Sequence, residues 1–213
     1  MTGSARPDHP RLRRTAGDRR AQLVQIGLEL LPTTPVQELT IDEVARRAGI
    51  SRSLLFHYFA TKREYYTAVT RAAADMMWDH LLPPPGTPSE EQVTGMLDRY
   101  VGWVETFRET HLAFVRGAAG GDPWVSEVYE DTRSRLVEVA LAALELSDDA
   151  RRRQLLLAWF AFTEDLVGHW VQEPTMTRGE LLDLLRDVLD RLTAGPSAPL
   201  RSQARGGPLQ GGL

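Results

Sequence analysis

Residues 40–59 read TIDEVARRAGISRSLLFHYF, and their spacing decides the fold. Ile41, Val44, Ala45 and Ala48 recur at intervals of three and four, which places them on one face of a helix. Thr40 precedes that set and Glu43 follows it three residues on, the pattern of a capping box. Gly49 comes next, the residue that most readily takes the left-handed conformation that ends a helix. Ile50 then returns to the core, and Ser51 caps a second short helix whose inward side is Leu55 and Phe59. Helices of two turns are unstable alone and need tertiary contacts. Two of them joined through a glycine turn make a helix-turn-helix; spacing alone also leaves open a generic helical corner.

Outward from this unit the chain reads as helix throughout. Apolar residues repeat at helical spacing in Leu23, Ile26, Leu30 and Leu31, in Leu136, Val139, Ala140, Ala143 and Leu144, and from Leu181 to Leu192. No run alternates with period two, and no Asn-Gly or Asp-Gly turn occurs. Capping-box patterns recur at Thr15–Asp18, Thr61–Glu64, Ser89–Gln92 and Thr177–Glu180, and Ser147 followed by two aspartates predicts a further N-cap. Pro32, Pro35, Pro83 to Pro85 and the run Gly120-Gly121-Asp122-Pro123 supply the stops. The spacing predicts an all-α chain of about nine helices near 16–31, 40–47, 51–58, 61–81, 89–108, 110–119, 123–145, 148–172 and 177–193. Residues 1–14 are basic and Pro-broken and 195–213 are rich in Gly, Pro and Ser, so both are expected to be disordered, as a basic arm and a tail. The division expected between them is a head over 15–62 and a larger bundle over 63–194.

Charge supports two parts of different kind. Residues 1–75 hold 12 Arg or Lys against 8 Asp or Glu, whereas residues 76–213 hold 13 against 21, so a basic head precedes an acidic remainder. That asymmetry suggests a nucleic-acid module attached to something else. There is no cysteine, which excludes disulfides, a thiol nucleophile and cysteine-ligated metal. No secretory or membrane-spanning stretch occurs, and the protein is expected to be soluble and cytoplasmic. No nucleophile motif, phosphate-cradling glycine loop or metal-ligand spacing is present, so no cofactor, metal or catalytic residue is expected.

The stretch resembles the TetR/AcrR family of transcriptional regulators, through Thr40, Val44, Ala45, Ala48, Gly49, Ile50, Ser51, Leu55, Phe56, Tyr58, Phe59 and Lys62. The resemblance covers about residues 16–68; Ser53 stands where the family often has glycine, and Phe56 where it more often has tyrosine. It agrees with the residue chemistry of the second short helix. Arg52, Ser53 and Leu54 point outward, arginine suited to a bidentate pair with guanine and leucine to a thymine methyl. His57 lies on the same side, and Thr40, Tyr58 and Lys62 are expected at phosphates. Arg11, Arg13, Arg14, Arg19 and Arg20 form a basic arm for backbone or minor groove.

For the remainder the resemblance implies a bundle that dimerises and encloses a ligand, and repression as the mode of action. Residues 155–171 are apolar nearly all round and the helix after Thr177 carries a broad leucine stripe, so the segments 148–172 and 177–193 are expected to form a homodimer interface. A dimer presents two reading helices to an inverted-repeat operator in double-stranded DNA. Trp103, Phe107, His111, Phe114, Trp159 and Phe162 are the expected ligand-binding residues, with Arg116 and Glu164 as polar anchors for a small apolar or aromatic effector. The helix from Thr61 to Leu81 would link effector to reading head. Rival readings are a helical protein-binding adaptor, a ligand-responsive activator, a non-specific architectural protein, and an enzyme built on Asp165 and His169.

Overall fold

A computed structural model describes residues 15–34, 36, 38–119 and 123–194. The arm at 1–14, the tail at 195–213, Pro35 and the stop at 120–122 lie outside the described residues. The described residues form α1 (Ala16–Leu30), α2 (Ile41–Ala48), α3 (Arg52–Tyr58), α4 (Lys62–Leu81), α5 (Ser89–Thr106), α6 (Arg108–Ala119), α7 (Pro123–Ala143), α8 (Ala150–Trp170) and α9 (Arg178–Thr193), with no strand among them. No described helix is long and apolar enough to cross a membrane.

The caps explain where these helices begin. Thr15 and Thr177 complete both halves of the capping box. At Thr40 and Thr61 only the hydroxyl half forms, because Glu43 is taken by Arg46 and Arg47, and Glu64 by Arg20 and the Ala60 N–H. The caps expected at Ser89 and Ser147 are overturned. Pro88 takes the cap position of α5, its carbonyl accepting from Glu91 and Gln92, and the Gln92 amide turns to the Thr87 carbonyl instead. Asp149 caps α8 by accepting from the Arg152 N–H at 2.9 Å, since its own carbonyl opens the helical ladder two residues beyond the serine.

Two cores result. α1, α2, α3 and the first turns of α4 close over Leu23, Ile26, Val44, Leu55, Phe59, Tyr65, Tyr66 and Val69. The second core joins α5, α7, α8 and α9 through Val101, Val137, Leu156, Val167, Leu181, Leu185 and Leu189. The Trp159 indole N–H donates to the Leu185 carbonyl at 3.0 Å, and Arg178 reaches the Asp98 carboxylate at 2.6 Å, tying α9 to α8 and α5. Between the cores α4 lies along α7, with Arg71 paired to Glu127 and Asp131, and Arg135 to Asp75.

α1 and α4 meet at a glycine. A Cβ on Gly27 would stand 2.5 Å from a Val69 methyl and 2.7 Å from the Tyr65 hydroxyl, and that hydroxyl is fixed at 2.9 Å on the Leu23 carbonyl. Gly27→Ala is therefore expected to destabilise the fold by about 1–3 kcal/mol, the cost of overpacking a filled core. Thermal or urea unfolding checks this, and an unchanged midpoint would show that α1 and α4 separate without cost.

Candidate nucleic-acid interface and bundle cavity

α3 owes its exposure pattern to Leu55 and Phe59, both fully buried, which fix one side of a seven-residue helix in the head's core. The other side carries Arg52, Ser53, Leu54 and His57, all exposed, including a leucine 40% accessible. Gly49 makes the turn that allows this: at φ 65° it lets the Ile50 N–H reach back to the Ala45 carbonyl at 3.0 Å. Arg52 lies 3.4 Å from Asp42, with its guanidinium 5.7 Å from the Phe56 ring. Thr40 and Lys62 are exposed, the latter with its ammonium 4.8 Å from the Tyr66 ring. Tyr58 is half-buried, its ring edge-on to His57.

Basic residues beside this row have other partners. Arg46 and Arg47 both bond Glu43, whose carboxyl their hydrogen bonds hold down at about 2. Arg20, expected in a free arm, turns inward: it donates to the Tyr58 carbonyl at 2.6 Å, pairs with Glu64 at 3.0 Å and lies 4.0 Å over the Phe59 ring. Arg19 bonds Gln22 and the Ala48 carbonyl. Both belong to α1, while Arg11, Arg13 and Arg14 lie outside the described residues.

In the bundle, helices α4 to α8 surround a cavity of about 70 Å³. Of the six residues expected there, His111, Phe114 and Trp159 line it. Trp103 lines an adjoining cavity instead, and Phe107, at the break between α5 and α6, lines neither and packs on Trp103 with ring centres 4.3 Å apart. Phe162 is 39% exposed, and Phe160 lines the cavity in its place, two residues being about 200° apart on a helix. The Arg116 side chain lies outside the described residues. Glu164 does line the cavity and accepts from the Tyr129 hydroxyl at 2.5 Å.

Sequence reasoning missed Tyr100, Tyr129, Arg133 and Thr163. The Tyr100 hydroxyl is 2.9 Å from His111 Nε2. Arg133 donates to the Leu157 carbonyl, while its Nε and the Thr163 hydroxyl are buried with no hydrogen-bond partner among the described residues. A signal existed: Tyr129, Thr132, Arg133, Leu136 and Ala140 fall at intervals of three and four along α7. Its polar members have the pattern of a solvent face. The Asp165–His169 pair is exposed on α8, with the imidazole 2.8 Å from the Asp165 carbonyl, and it does not line this cavity. Among the described residues no group of three His, Cys, Asp or Glu is placed to hold a metal.

Burial governs the protonation of the lining. It pushes His111 down to about 4 and raises Glu164, while Tyr100 and Tyr129 are raised above the usual phenol range. The unfolded chain therefore binds a proton at His111 before the folded one does. Stability from this group is complete above about pH 6.5 and is lost as pH falls toward 4, by up to about 1.4 kcal/mol per pH unit. Glu164 acts in the opposite sense, favouring the fold as pH falls. Thermal melts from pH 7 to pH 4 are expected to show a falling midpoint whose slope His111→Gln flattens; an equal slope in both proteins would place the acid sensitivity elsewhere.

Both halves of the chain match known families. Residues 24–69 match the bacterial regulatory proteins of the tetR family, and residues 89–191 the tetracyclin repressor-like C-terminal domain. The HTH-type transcriptional regulator BetI of Cronobacter sakazakii is 25% identical over 164 residues, covering 72% of this chain and 78% of that protein. BetI of an Escherichia coli strain is 26% identical over 160 residues, covering 72% and 81%. Among solved structures, a tetR-family transcriptional regulator from Streptomyces coelicolor is 27% identical with a TM-score of 0.70, over 83% of this chain and 81% of that one. A TetR-like regulator from Rhodococcus sp. RHA1, 24% identical with a TM-score of 0.62 over 86% and 100%, shares the fold. Regulators of this kind bind DNA and dimerise, and the family is one of transcription factors and not of enzymes. With both halves matched in the order the helices take here, the chain belongs to the TetR family of DNA-binding transcriptional regulators.

Proposed function

We propose that this chain is a cytoplasmic homodimeric repressor, without catalytic activity, that reads an inverted-repeat operator and leaves it when a small apolar or aromatic effector binds. The observation that carries the reading is the solvent-facing row Arg52, Ser53, Leu54 and His57 on a helix otherwise anchored in a core. In this reading the row enters the major groove, while Thr40, Tyr58 and Lys62 hold flanking phosphates and set register. Residues 15–62 do the reading and residues 63–194 the regulation, with the first turns of α4 packed in the reading head's core.

The dimer in this proposal forms through α8 and α9. Ala158, Ala161, Phe162 and Asp165 make an exposed stripe on α8, and Leu184 is an exposed leucine on α9. Small residues beside one aromatic suit the close approach of two helices, and two from each copy complete a four-helix interface. Effector coupling runs along α4, which lines the cavity with Met77 and Leu81 and the head's core with Tyr65 and Tyr66. A second tie is the Thr110 hydroxyl on the Leu31 carbonyl at 3.0 Å, joining α6 to the end of α1. An effector that prefers one spacing of the two heads shifts operator affinity by its differential binding, roughly 5–150-fold for a typical coupling.

Capture of genomic DNA fragments at near-physiological salt is expected to return sites sharing an inverted repeat; uniform retention would overturn sequence-specific reading. On such a site Arg52→Ala is expected to weaken binding by about 1–3 kcal/mol and relax preference at one base pair. Lys62→Ala is expected to weaken all sequences alike and to reduce the salt slope by about one. Phe162→Glu is expected to yield a folded monomer in sedimentation; an unchanged mass would rule out this face as the interface.

A further inference from the structure

Two cavities in this chain share a wall. The bundle cavity and a second one of about 60 Å³ at the junction of head and bundle have Met77, His111 and Phe114 in common. The junction cavity is bounded by Leu31 at the end of α1, Val36 in the following turn, and Thr70, Ala73 and Ala74 of α4. Each is smaller than the roughly 150 Å³ of an apolar cavity that takes benzene, and together they approach it. Of the shared wall, His111 is held through Nε2 by the Tyr100 hydroxyl, whereas Met77 is unbranched and flexible and can swing aside.

Each chamber also has a polar feature of its own. Thr163 borders only the bundle chamber and Thr70 only the junction chamber; they are 3% and 4% exposed, and neither hydroxyl has a hydrogen-bond partner among the described residues. Such groups carry a desolvation penalty that a ligand oxygen would remove. The charged lining residues, Arg133 and Glu164, both lie in the bundle chamber, so the junction end suits an uncharged group.

We infer that the two cavities form one two-chambered site for an elongated apolar molecule with a hydrogen-bonding oxygen at each end, one at Thr163 and the other at Thr70. The inference rests on reading the bundle as the effector-binding part. It adds that the ligand itself, through Leu31 and Val36, touches the reading head.

Calorimetric titration of the full chain with linear diols of six to ten carbons, beside primary alcohols of equal length, tests this. One diol length is expected to bind tightest, roughly five-fold better than its matched alcohol, the worth of one added hydrogen bond. Thr70→Val is expected to erase that advantage and leave the alcohol unaffected, and Ala74→Leu to weaken long probes more than short ones. Thermal midpoints of the variants check that they fold. The inference is overturned by equal binding of diols and alcohols, by a diol affinity indifferent to Thr70→Val, or by no binding of any probe. Diol binding with this pattern but no change in operator affinity would keep the two-chambered site and remove the effector reading.

Discussion

The hydroxyls of Tyr65 and Tyr66 donate to the carbonyls of Leu23 in α1 and Leu39 just before α2, and neither residue has any exposed surface. The pose of the reading head on the long helix α4 depends on this pair. Tyr65 packs edge-on against Phe59 at the end of α3, and Tyr66 stacks on Trp124 at the start of α7, so two neighbouring rings touch both the reading helix and the bundle. A buried phenol left without its acceptor costs roughly 1–3 kcal/mol, so α4 and the head hold one another in a fixed pose. The helix beginning there continues three turns further to the cavity wall at Met77 and Leu81.

The surface the head offers is less cationic than its arginines suggest. Glu43 engages Arg46 and Arg47, Asp42 lies by Arg52, and Glu64 holds Arg20. These pairs are exposed and individually weak, so their effect is on the orientation of side chains more than on stability. Arg20 is the exception in kind: bridging the Tyr58 carbonyl, Glu64 and the Phe59 ring, it fixes the C-terminal end of α3 from the inside. Lys62 is held differently, resting over the Tyr66 ring.

The helix-turn-helix was legible in the sequence because short helices with little freedom must declare themselves: apolar spacing, a hydroxyl cap and a glycine turn all fall within twenty residues. The nine helices of the described residues were legible for the same reason, and their ends less so. At Ser147 a better acceptor, Asp149, stood two residues closer to the ladder, and at Ser89 a proline already occupied the turn. The cavity was legible only in part. Aromatic content pointed to the middle helices, but content carries no phase, so Phe162 and Phe160 exchanged roles. Tyr129 and Arg133 were obscured by a different cause: polar residues facing a cavity have the same one-dimensional pattern as polar residues facing water.

α4 sends its first turns into the head's core and Met77 and Leu81 to the bundle cavity, and this bears on how the chain comes apart. Separating head from bundle would uncover Tyr66 and Trp124 together and break the bond from Thr110 to Leu31. The two parts therefore share buried contacts along α4, α6 and α7, and opening one carries a cost in the other. A molecule that tightens the bundle cavity therefore also lowers the population of open forms of the head it is coupled to. Resistance of the head to proteolysis and to amide exchange becomes a report on the occupancy of a chamber it does not line.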